Sequence, residues 1–222
     1  MPAGDKRRIF FLFAISGLLL GLTTGYTEIL KSNFNVTGNL TVGGVLKITP
    51  VWDDERVPIT ATTRLGSNDP AFTRVRDNGT SQGVFTYAYS KNIEQEVYFA
   101  VQLPHAYVNG SNLRPHIHFT TPTNGTGSIV WGLEYTCTRI NATFGLTHII
   151  TGTAGNSNVA YKHQYMQLPE INGTLLSLSA ICNCRVYRDA TATADNYDDV
   201  AYLLEIDFHY QKNVMGSINE LD

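Results

Sequence analysis

Two stretches of the sequence decide the fold, Leu113-Arg-Pro-His-Ile-His-Phe119 and Tyr202-Leu-Leu-Glu-Ile-Asp-Phe-His-Tyr210. Polar and apolar residues alternate one by one in both, and the stretch Gly127-Ser-Ile-Val-Trp-Gly-Leu-Glu-Tyr135 shows the same pattern. Because successive side chains of a β-strand point to opposite faces of its sheet, the alternation predicts strands that each bury one face.

The alternation divides these residues into an apolar set and a polar set. The apolar set is predicted to face the core and consists of Ile117, Phe119, Trp131, Leu133, Tyr135, Leu204, Ile206 and Phe208. The polar set is predicted to share the other kind of face and consists of His116, His118, Glu134, Glu205, Asp207 and His209. A face of histidines and carboxylates is the main chemical question that this sequence poses.

Further segments with strand composition lie between turns rich in Gly, Asn, Asp and Pro. The candidate strands span residues 57–63, 83–89, 96–103, 114–120, 128–139, 147–153, 161–167, 175–187 and 200–210. No stretch after residue 30 has the apolar period of a helix. These patterns predict an all-β fold, a two-sheet β-sandwich of the jelly-roll type.

The composition fits one globular domain with additional segments. The chain has 222 residues, of which 43% are hydrophobic, and its formal net charge is -3. A hydrophobic content of this size can build a core, whereas a slightly acidic chain has no basic surface for nucleic acid. We therefore expect no nucleic-acid partner.

The N-terminal part has the pattern of a membrane or export signal. Lys6, Arg7 and Arg8 precede residues 9–27, which contain no charged residue. This is typical of an N-terminal hydrophobic helix that acts as a signal anchor or transmembrane segment, or of a signal peptide that is removed. Positive residues before the segment would keep the N-terminus in the cytoplasm and export the rest of the chain. We therefore expect a membrane contact through residues 9–27.

The chain is predicted to have four parts. Residues 1–27 form the anchor, 28–50 a short β stalk or linker, 51–216 the jelly-roll domain and 217–222 a tail. The stalk alternates small apolar residues with Asn, Thr and Gly, so it cannot bury an apolar face by itself. We expect it to pack against copies of itself or against the edge of the next domain.

Sequons for N-glycosylation are more frequent than chance, which would give about three. They begin at Asn35, Asn39, Asn78, Asn109, Asn124, Asn141 and Asn172. Four of the seven read Asn-Gly-Ser or Asn-Gly-Thr, which is also common turn chemistry. The sequence leaves open whether they carry sugar, as in an exported glycoprotein, or only form turns.

The three cysteines, Cys137, Cys182 and Cys184, cannot all pair within one chain. Cys182 and Cys184 share one face of a predicted strand, and a bond between these two would strain the backbone. The sequence leaves open a single disulfide from Cys137 to either of them, or three buried thiols.

Two resemblances to viral proteins add to this interpretation. The stretch Asn35-Val-Thr-Gly-Asn-Leu-Thr-Val-Gly-Gly44 resembles the repeats of phage tail-fibre shafts, in which three chains intertwine. Further motifs occur in order along the chain: Val51-Trp-Asp-Asp-Glu-Arg-Val-Pro58, Arg114-Pro-His-Ile-His118, Val130-Trp-Gly-Leu-Glu-Tyr135 and Leu204-Glu-Ile-Asp-Phe-His-Tyr210. Together they resemble an uncharacterised family of predicted virion proteins from tailed phages, marine viruses and large DNA viruses of algae and protists. That resemblance implies a structural, non-enzymatic role and supplies no catalytic residues.

Two interpretations of the polar set remain open. His116 and His118 lie about 7 Å apart along one strand, and Glu205, Asp207 and His209 repeat that spacing on another, so a divalent metal site would form if the strands are neighbours. Cupin jelly rolls use a His-x-His in this way, but the Glu that their motif places a few residues later is absent here. We expect no other cofactor.

The alternative is a hydrogen-bonded polar face, exposed or at a subunit interface. Arg185 or Arg188 would then supply the counter-charge. Histidines at such an interface would also make assembly sensitive to pH near about 6.5.

The sequence therefore predicts a viral structural protein rather than an enzyme, since it has no Gly-x-Ser-x-Gly motif and no phosphate-binding Gly loop. It would be a minor capsid, spike or fibre-type component, a homotrimer that joins capsid or surface-lattice proteins at the virion surface or membrane. The alternative is a surface carbohydrate-binding or adhesion module for host attachment, and the third hypothesis is a cupin-like metalloenzyme.

Overall fold

A computed structural model describes residue 43, residues 46–77 and residues 79–218. These residues form ten strands and one short 3-10 turn, Ile59–Ala61. The strands are β1 Val51–Pro58, β2 Ala71–Arg74, β3 Phe85–Tyr89, β4 Gln95–Gln102, β5 Arg114–Thr120, β6 Ser128–Thr138, β7 His148–Gly155, β8 Gln164–Gln167, β9 Ile181–Arg188 and β10 Ala201–Lys212. The predicted anchor and most of the predicted stalk lie outside the described residues, among which no helix is long and apolar enough for a membrane span.

The described strands form two antiparallel sheets. The first sheet has the order β2-β3-β10-β5-β8, and β1 also pairs with β10. The second sheet has the order β4-β9-β6-β7. The all-β prediction and the two-sheet β-sandwich are thereby confirmed, and the arrangement is consistent with the predicted jelly roll.

The core lies between the two sheets, as the alternation predicted. Six residues of the predicted apolar set are 0% exposed: Ile117, Phe119, Trp131, Leu133, Ile206 and Phe208. Tyr135 is partly buried and packs against the same core. Burial of this apolar surface is the main force that holds the sheets together.

Leu204 is the exception, and a β-bulge is the cause. The register between β10 and β5 shifts between Leu203 and Glu205. A shift of one residue exchanges the faces of a strand, so Leu203 enters the core while Leu204 turns outward beside Glu205. The prediction that Leu204 faces the core was therefore wrong.

The strands differ most from the prediction in three places. The first strand is Val51–Pro58, not residues 57–63, because its acidic residues are stabilised by β10; Asp53, for example, accepts from Lys212 and from Tyr210. The four-residue strand β2 was not predicted. Residues 175–180 precede β9 rather than belonging to it.

Arg188 lies in the core rather than on the polar face. Its side chain is 0% exposed, and its guanidinium donates to both carboxylate oxygens of Asp195, at 3.0 and 2.8 Å. It also donates to the backbone carbonyls of Tyr89, Tyr197 and Asp199. This single side chain therefore fixes the loop between β9 and β10 against the end of β3.

We expect Asp195→Ala to lower the free energy of unfolding by about 3–5 kcal/mol, because it leaves the buried Arg188 guanidinium without its carboxylate. Urea unfolding followed by circular dichroism measures the change. Asp198→Ala is the matched control, since that carboxylate is 89% exposed and its loss should change stability by less than about 1 kcal/mol. Equal losses for the two variants would contradict the buried pair.

Candidate functional site

The predicted polar face divides between the two sheets. His116, His118, Glu205, Asp207 and His209 lie on β5 and β10, which pair in the first sheet. Glu134 lies on β6, in the second sheet. Because the outer faces of the two sheets point in opposite directions, the structure carries two separate polar surfaces.

On the first sheet three donor atoms converge, and we call this group the His/Asp triangle. His116 Nε2 lies 2.9 Å from His118 Nε2 and 3.3 Å from Asp207 Oδ2, and His118 Nε2 lies 3.1 Å from the same oxygen. The strand register explains the convergence, since Asp207 is directly opposite His116. The side chains of His116, His118 and Asp207 are only 6, 20 and 7% exposed, respectively.

Burial and neighbouring charges set the ionisation of the triangle. Burial lowers the pKa of His118. The negative charge of Asp207 raises this pKa, but the nearby His116 and His163 lower it, and the net shift is downward. Burial raises the pKa of Asp207, but the hydrogen bond from His116 and the charge of His118 outweigh it, so the pKa lies below its usual range. The charge of His118 acts in acid, where Asp207 titrates. At neutral pH, above both lowered pKa values, His118 is neutral and Asp207 is ionised.

Two of the five predicted ligands on this face are engaged by β1 instead. Glu205 accepts from Arg56 at 3.1 and 2.8 Å. His209 Nε2 lies 2.7 Å from Asp54 Oδ1. Neither side chain belongs to the triangle, because each is held by a residue of β1. The prediction included them as ligands because it did not foresee the pairing of β1 with β10.

The sequence reasoning missed His163, which lies just before β8. Its Nε2 lies 2.7 Å from His118 Nδ1. The residue falls inside a predicted strand, but only the pairing of β8 with β5 places it beside His118. Next to it opens a recess of about 390 Å³, lined by Asp54, Arg56, His118, His163, Leu204, Glu205 and Asp207.

The outer face of the second sheet carries a larger concavity, which we call the trough. One of its walls is a row of long side chains, Tyr98, Arg185 and Glu134, which are cross-strand neighbours on β4, β9 and β6. Its floor is the next row of shorter side chains on the same strands: Ala100, Asn183 and Thr136. The trough has a volume of about 810 Å³ and is also lined by Thr63 at one end and Thr147 at the other.

Arg185 is held rigidly in the wall of the trough. It donates to Glu134 at 3.0 Å, to Glu94 at 2.8 Å and to Glu96 at 3.3 Å. Burial lowers the pKa of Arg185, but the hydrogen bonds to Glu94 and Glu134 and the charges of these carboxylates outweigh it, so the pKa is raised. A guanidinium with three carboxylate partners has little freedom to reorient, and the wall is therefore preorganised.

An aromatic ring supports Arg185 from the adjacent position. The guanidinium carbon lies 4.2 Å from the centre of the Tyr187 ring. That ring lies over Gly132, where a Cβ atom would come within 2.1 Å of Tyr187 Cζ. Glycine at this position is therefore required for the close approach of the ring.

The floor of the trough has one polar side chain that makes no hydrogen bond within the described residues. The side chain of Asn183 is exposed and makes no hydrogen bond to any residue that the structure describes. Its carboxamide can donate two hydrogen bonds and accept others. The flat ring of Tyr98, partly exposed, stands beside it. These residues carried no recognisable sequence motif, because their grouping depends on which strands are neighbours.

The described sequons all lie on the surface. Asn109, Asn124, Asn141 and Asn172 are exposed, whereas Asn35, Asn39 and Asn78 lie outside the described residues. The side-chain oxygen of Asn172 accepts from the backbone of Thr174 at 2.9 Å, as expected of a turn residue. Asn109 and Asn124 instead accept from the backbone of the distant Leu178 and Ala160, at 2.8 and 2.7 Å. Glycosylation stays a prediction.

A disulfide joins Cys137 of β6 to Cys182 of β9. The two residues are directly opposite each other in the sheet. Cys184 is a buried free thiol, and burial raises its pKa to about 12. Of the open arrangements, the structure therefore has the one that links Cys137 to Cys182.

No protein-family model and no curated protein matches the sequence. Structural matches among solved proteins include a carbohydrate-binding module, CBM35 from Cellvibrio japonicus, at 7% identity and TM-score 0.39 over 76% of this chain and 98% of that one. TmCBM61 in complex with β-1,4-galactotriose has 11% identity and TM-score 0.29, over 73% and 88%. A chain of infectious bursal disease virus, Gx strain, has 9% identity and TM-score 0.32, over 84% and 41%. TM-scores this low support no functional conclusion.

We expect no cysteine of the native protein to react with a maleimide reagent at pH 8, because Cys184 is buried and protonated and the other two are bonded. After denaturation without reductant one thiol should react, and after reduction all three. Intact-mass spectrometry counts the adducts. Three adducts in the denatured, unreduced chain would rule out the disulfide.

Proposed function

We propose that this chain is a surface carbohydrate-binding module that holds a neutral oligosaccharide in the trough. The observation that carries the proposal is the preorganised row of Tyr98, Arg185 and Glu134 above a floor with the unused carboxamide of Asn183. Binding, not catalysis, is the proposed activity.

The chemistry of the trough matches that of a sugar. The apolar C–H face of a pyranose packs against aromatic rings, and Tyr98 offers such a ring at the wall. Sugar hydroxyl groups both donate and accept, as does the carboxamide of Asn183. The hydroxyl of Thr136 donates to the backbone carbonyl of Gly145 and can still accept. Few placed polar groups in a concave site are typical of specific ligand recognition.

The local charge favours a neutral ligand. Arg185 is surrounded by the carboxylates of Glu94, Glu96 and Glu134, all within 3.3 Å of its nitrogens. The single cation is therefore outweighed by its neighbours, and the wall is negative at neutral pH. A uronic acid or a sulfated sugar would be repelled, which discriminates against anionic glycans.

The length of the trough favours a chain of several sugars over a monosaccharide. It crosses the sheet from Thr63, which pairs with Tyr98 of β4, to Thr147 just before β7. Four inter-strand spacings of about 4.8 Å give about 19 Å.

We expect the full-length protein in detergent to bind neutral linear oligosaccharides in calorimetric titrations, and to bind polyuronates at least tenfold more weakly. Asn183→Ala and Tyr98→Ala should each weaken binding about tenfold or more, which corresponds to about 1.4 kcal/mol for the removal of a hydrogen bond or of ring packing. The test panel contains glucan, galactan and mannan oligomers.

Tyr165→Ala is the matched control, because Tyr165 is a 66% exposed tyrosine on the opposite sheet. The Tyr165→Ala variant should bind the oligosaccharides with the same affinity as the unmodified chain. Binding that is lost in Tyr165→Ala but kept in Tyr98→Ala would place the sugar elsewhere, and no binding to any panel member would refute the proposal.

The second candidate function is that of a self-associating virion structural protein, anchored by its N-terminal segment in a membrane. The predicted jelly roll is supported by the orders β3-β10-β5-β8 and β4-β9-β6-β7, in which eight consecutive strands fill two four-stranded sheets. A fold of this kind serves many functions, so the proposal of self-association must rest on a specific surface.

That surface is an aromatic shelf at the edge strand β2. Phe72 stacks on Phe85 with ring centres 5.5 Å apart, and the two are 53 and 42% exposed. Phe72 is opposite Tyr87, which packs against the core, so the inner face of the first sheet continues past the core at this edge. A second copy of the chain would bury the shelf and pair with the free edge of β2.

We expect light scattering of the detergent-extracted protein to give a discrete oligomer, a trimer, and Phe72→Ser to shift its mass towards the monomer. The substitution removes apolar surface from the shelf, so association buries less of it and becomes weaker. Ile149→Ser is the control, because Ile149 is a 59% exposed apolar residue on β7 of the other sheet. A monomeric unmodified chain, or equal dissociation of both variants, would refute self-association through this edge.

A further inference from the structure

We propose that His116, His118 and Asp207 bind one divalent transition-metal ion. Their donor atoms, two Nε2 atoms and Oδ2, are 2.9–3.3 Å apart. An ion at about 2.1 Å from each atom, the usual distance for Zn²⁺ with imidazole and carboxylate ligands, fits on the axis of this triangle. It would lie about 1 Å from the plane of the three atoms.

Hydrogen bonds alone do not account for the convergence. His118 Nδ1 lies 2.7 Å from His163 Nε2, and if it donates its proton there, His118 Nε2 carries a lone pair. That lone pair faces the carboxylate oxygen of Asp207 at 3.1 Å, and only His116 Nε2 retains a proton for both acceptors. A cation at the centre would turn the repulsion between the lone pairs of His118 and Asp207 into two bonds. His116 would supply the third bond after its proton moves to Nδ1, which has no partner among the described residues.

The contact with His163 is also the outer support that a metal-bound histidine requires. Ligating imidazoles almost always donate their second N–H to another group, which fixes the ring and the tautomer. His163 accepts in this position when His118 Nδ1 carries the proton, and it comes from a different chain segment, just before β8. His163, which is not itself a ligand, thus fixes the orientation of the His118 ring.

Two buried polar atoms of the triangle have no partner among the described residues. Asp207 is 5% exposed and its Oδ1 makes no hydrogen bond, and His116 is 4% exposed with an unbonded Nδ1. A buried carboxylate without a cation is unfavourable. The adjacent Arg56 does not supply the charge, because its guanidinium binds Glu205.

The ligands that the described residues supply lie on one side of the ion. On the other side lies the recess of about 390 Å³, with Asp54 and Arg56 on its rim. Two imidazoles and one carboxylate with open positions are the ligand set of catalytic zinc and of mononuclear iron sites. The ion would therefore keep positions for water or for an oxygen donor that enters through the recess. This site is on the opposite sheet from the trough, so it does not depend on the proposed sugar binding.

The test is a titration of the chelator-treated, full-length protein with Zn²⁺, in competition with a chromophoric chelator. One equivalent is expected to bind. Asp207→Asn and His118→Gln should weaken it at least 100-fold, and His163→Gln about 10–100-fold as an outer-shell change. Zn²⁺ should also raise the melting temperature of the unmodified protein.

His209→Gln is the matched control, since His209 is on the same face but bonded to Asp54 rather than to the triangle. It should bind Zn²⁺ like the unmodified chain. The absence of saturable binding to the unmodified chain would overturn the proposal, as would unchanged affinity in Asp207→Asn. Equal weakening in His209→Gln would overturn the assigned ligands. If a variant does not fold, the Co²⁺ spectrum of the unmodified protein still tests histidine and carboxylate coordination.

Discussion

The pairing of β10 on both of its edges is the constraint on which the rest of the structure depends. β5 lies along one edge, and β3 and β1 share the other. With its backbone bonded on both sides, the strand can be central only if one face is apolar throughout. The bulge between Leu203 and Glu205 satisfies that condition, because it keeps Leu203 and Ile206 inside although two residues lie between them. The same shift places Asp207 opposite His116.

Much of the fold could be predicted from the sequence, because the alternation of side chains is a local property of strands. It identified the inward residues Ile117, Trp131 and Phe208 and the outward His116 and His118. Which strands are neighbours is a long-range property that alternation does not contain. Glu134 was therefore grouped with the wrong sheet, and the contact of His163 with His118 was missed. The bulge has no sequence signature here, and it places Leu204 on the outer face instead of the predicted core face.

The two outer faces show how one rule of side-chain direction produces different chemistry. On the first sheet a carboxylate without an arginine partner is buried among imidazoles, so negative charge and lone pairs accumulate. On the second sheet an arginine sits among carboxylates, and its neutralisation leaves a rigid wall beside a floor with hydrogen-bonding capacity. The difference arises from a few positions, since both sheets have the same backbone geometry.

The disulfide between Cys137 and Cys182 bears on the trough. Each of these cysteines is the sequence neighbour of a floor residue, Thr136 and Asn183, and those two are themselves a cross-strand pair. The bond sets the spacing of the floor covalently from the inner side of the sheet. Disulfides of this kind persist only where thiols are oxidised. A chain held in a reducing compartment would therefore have a floor joined by hydrogen bonds alone.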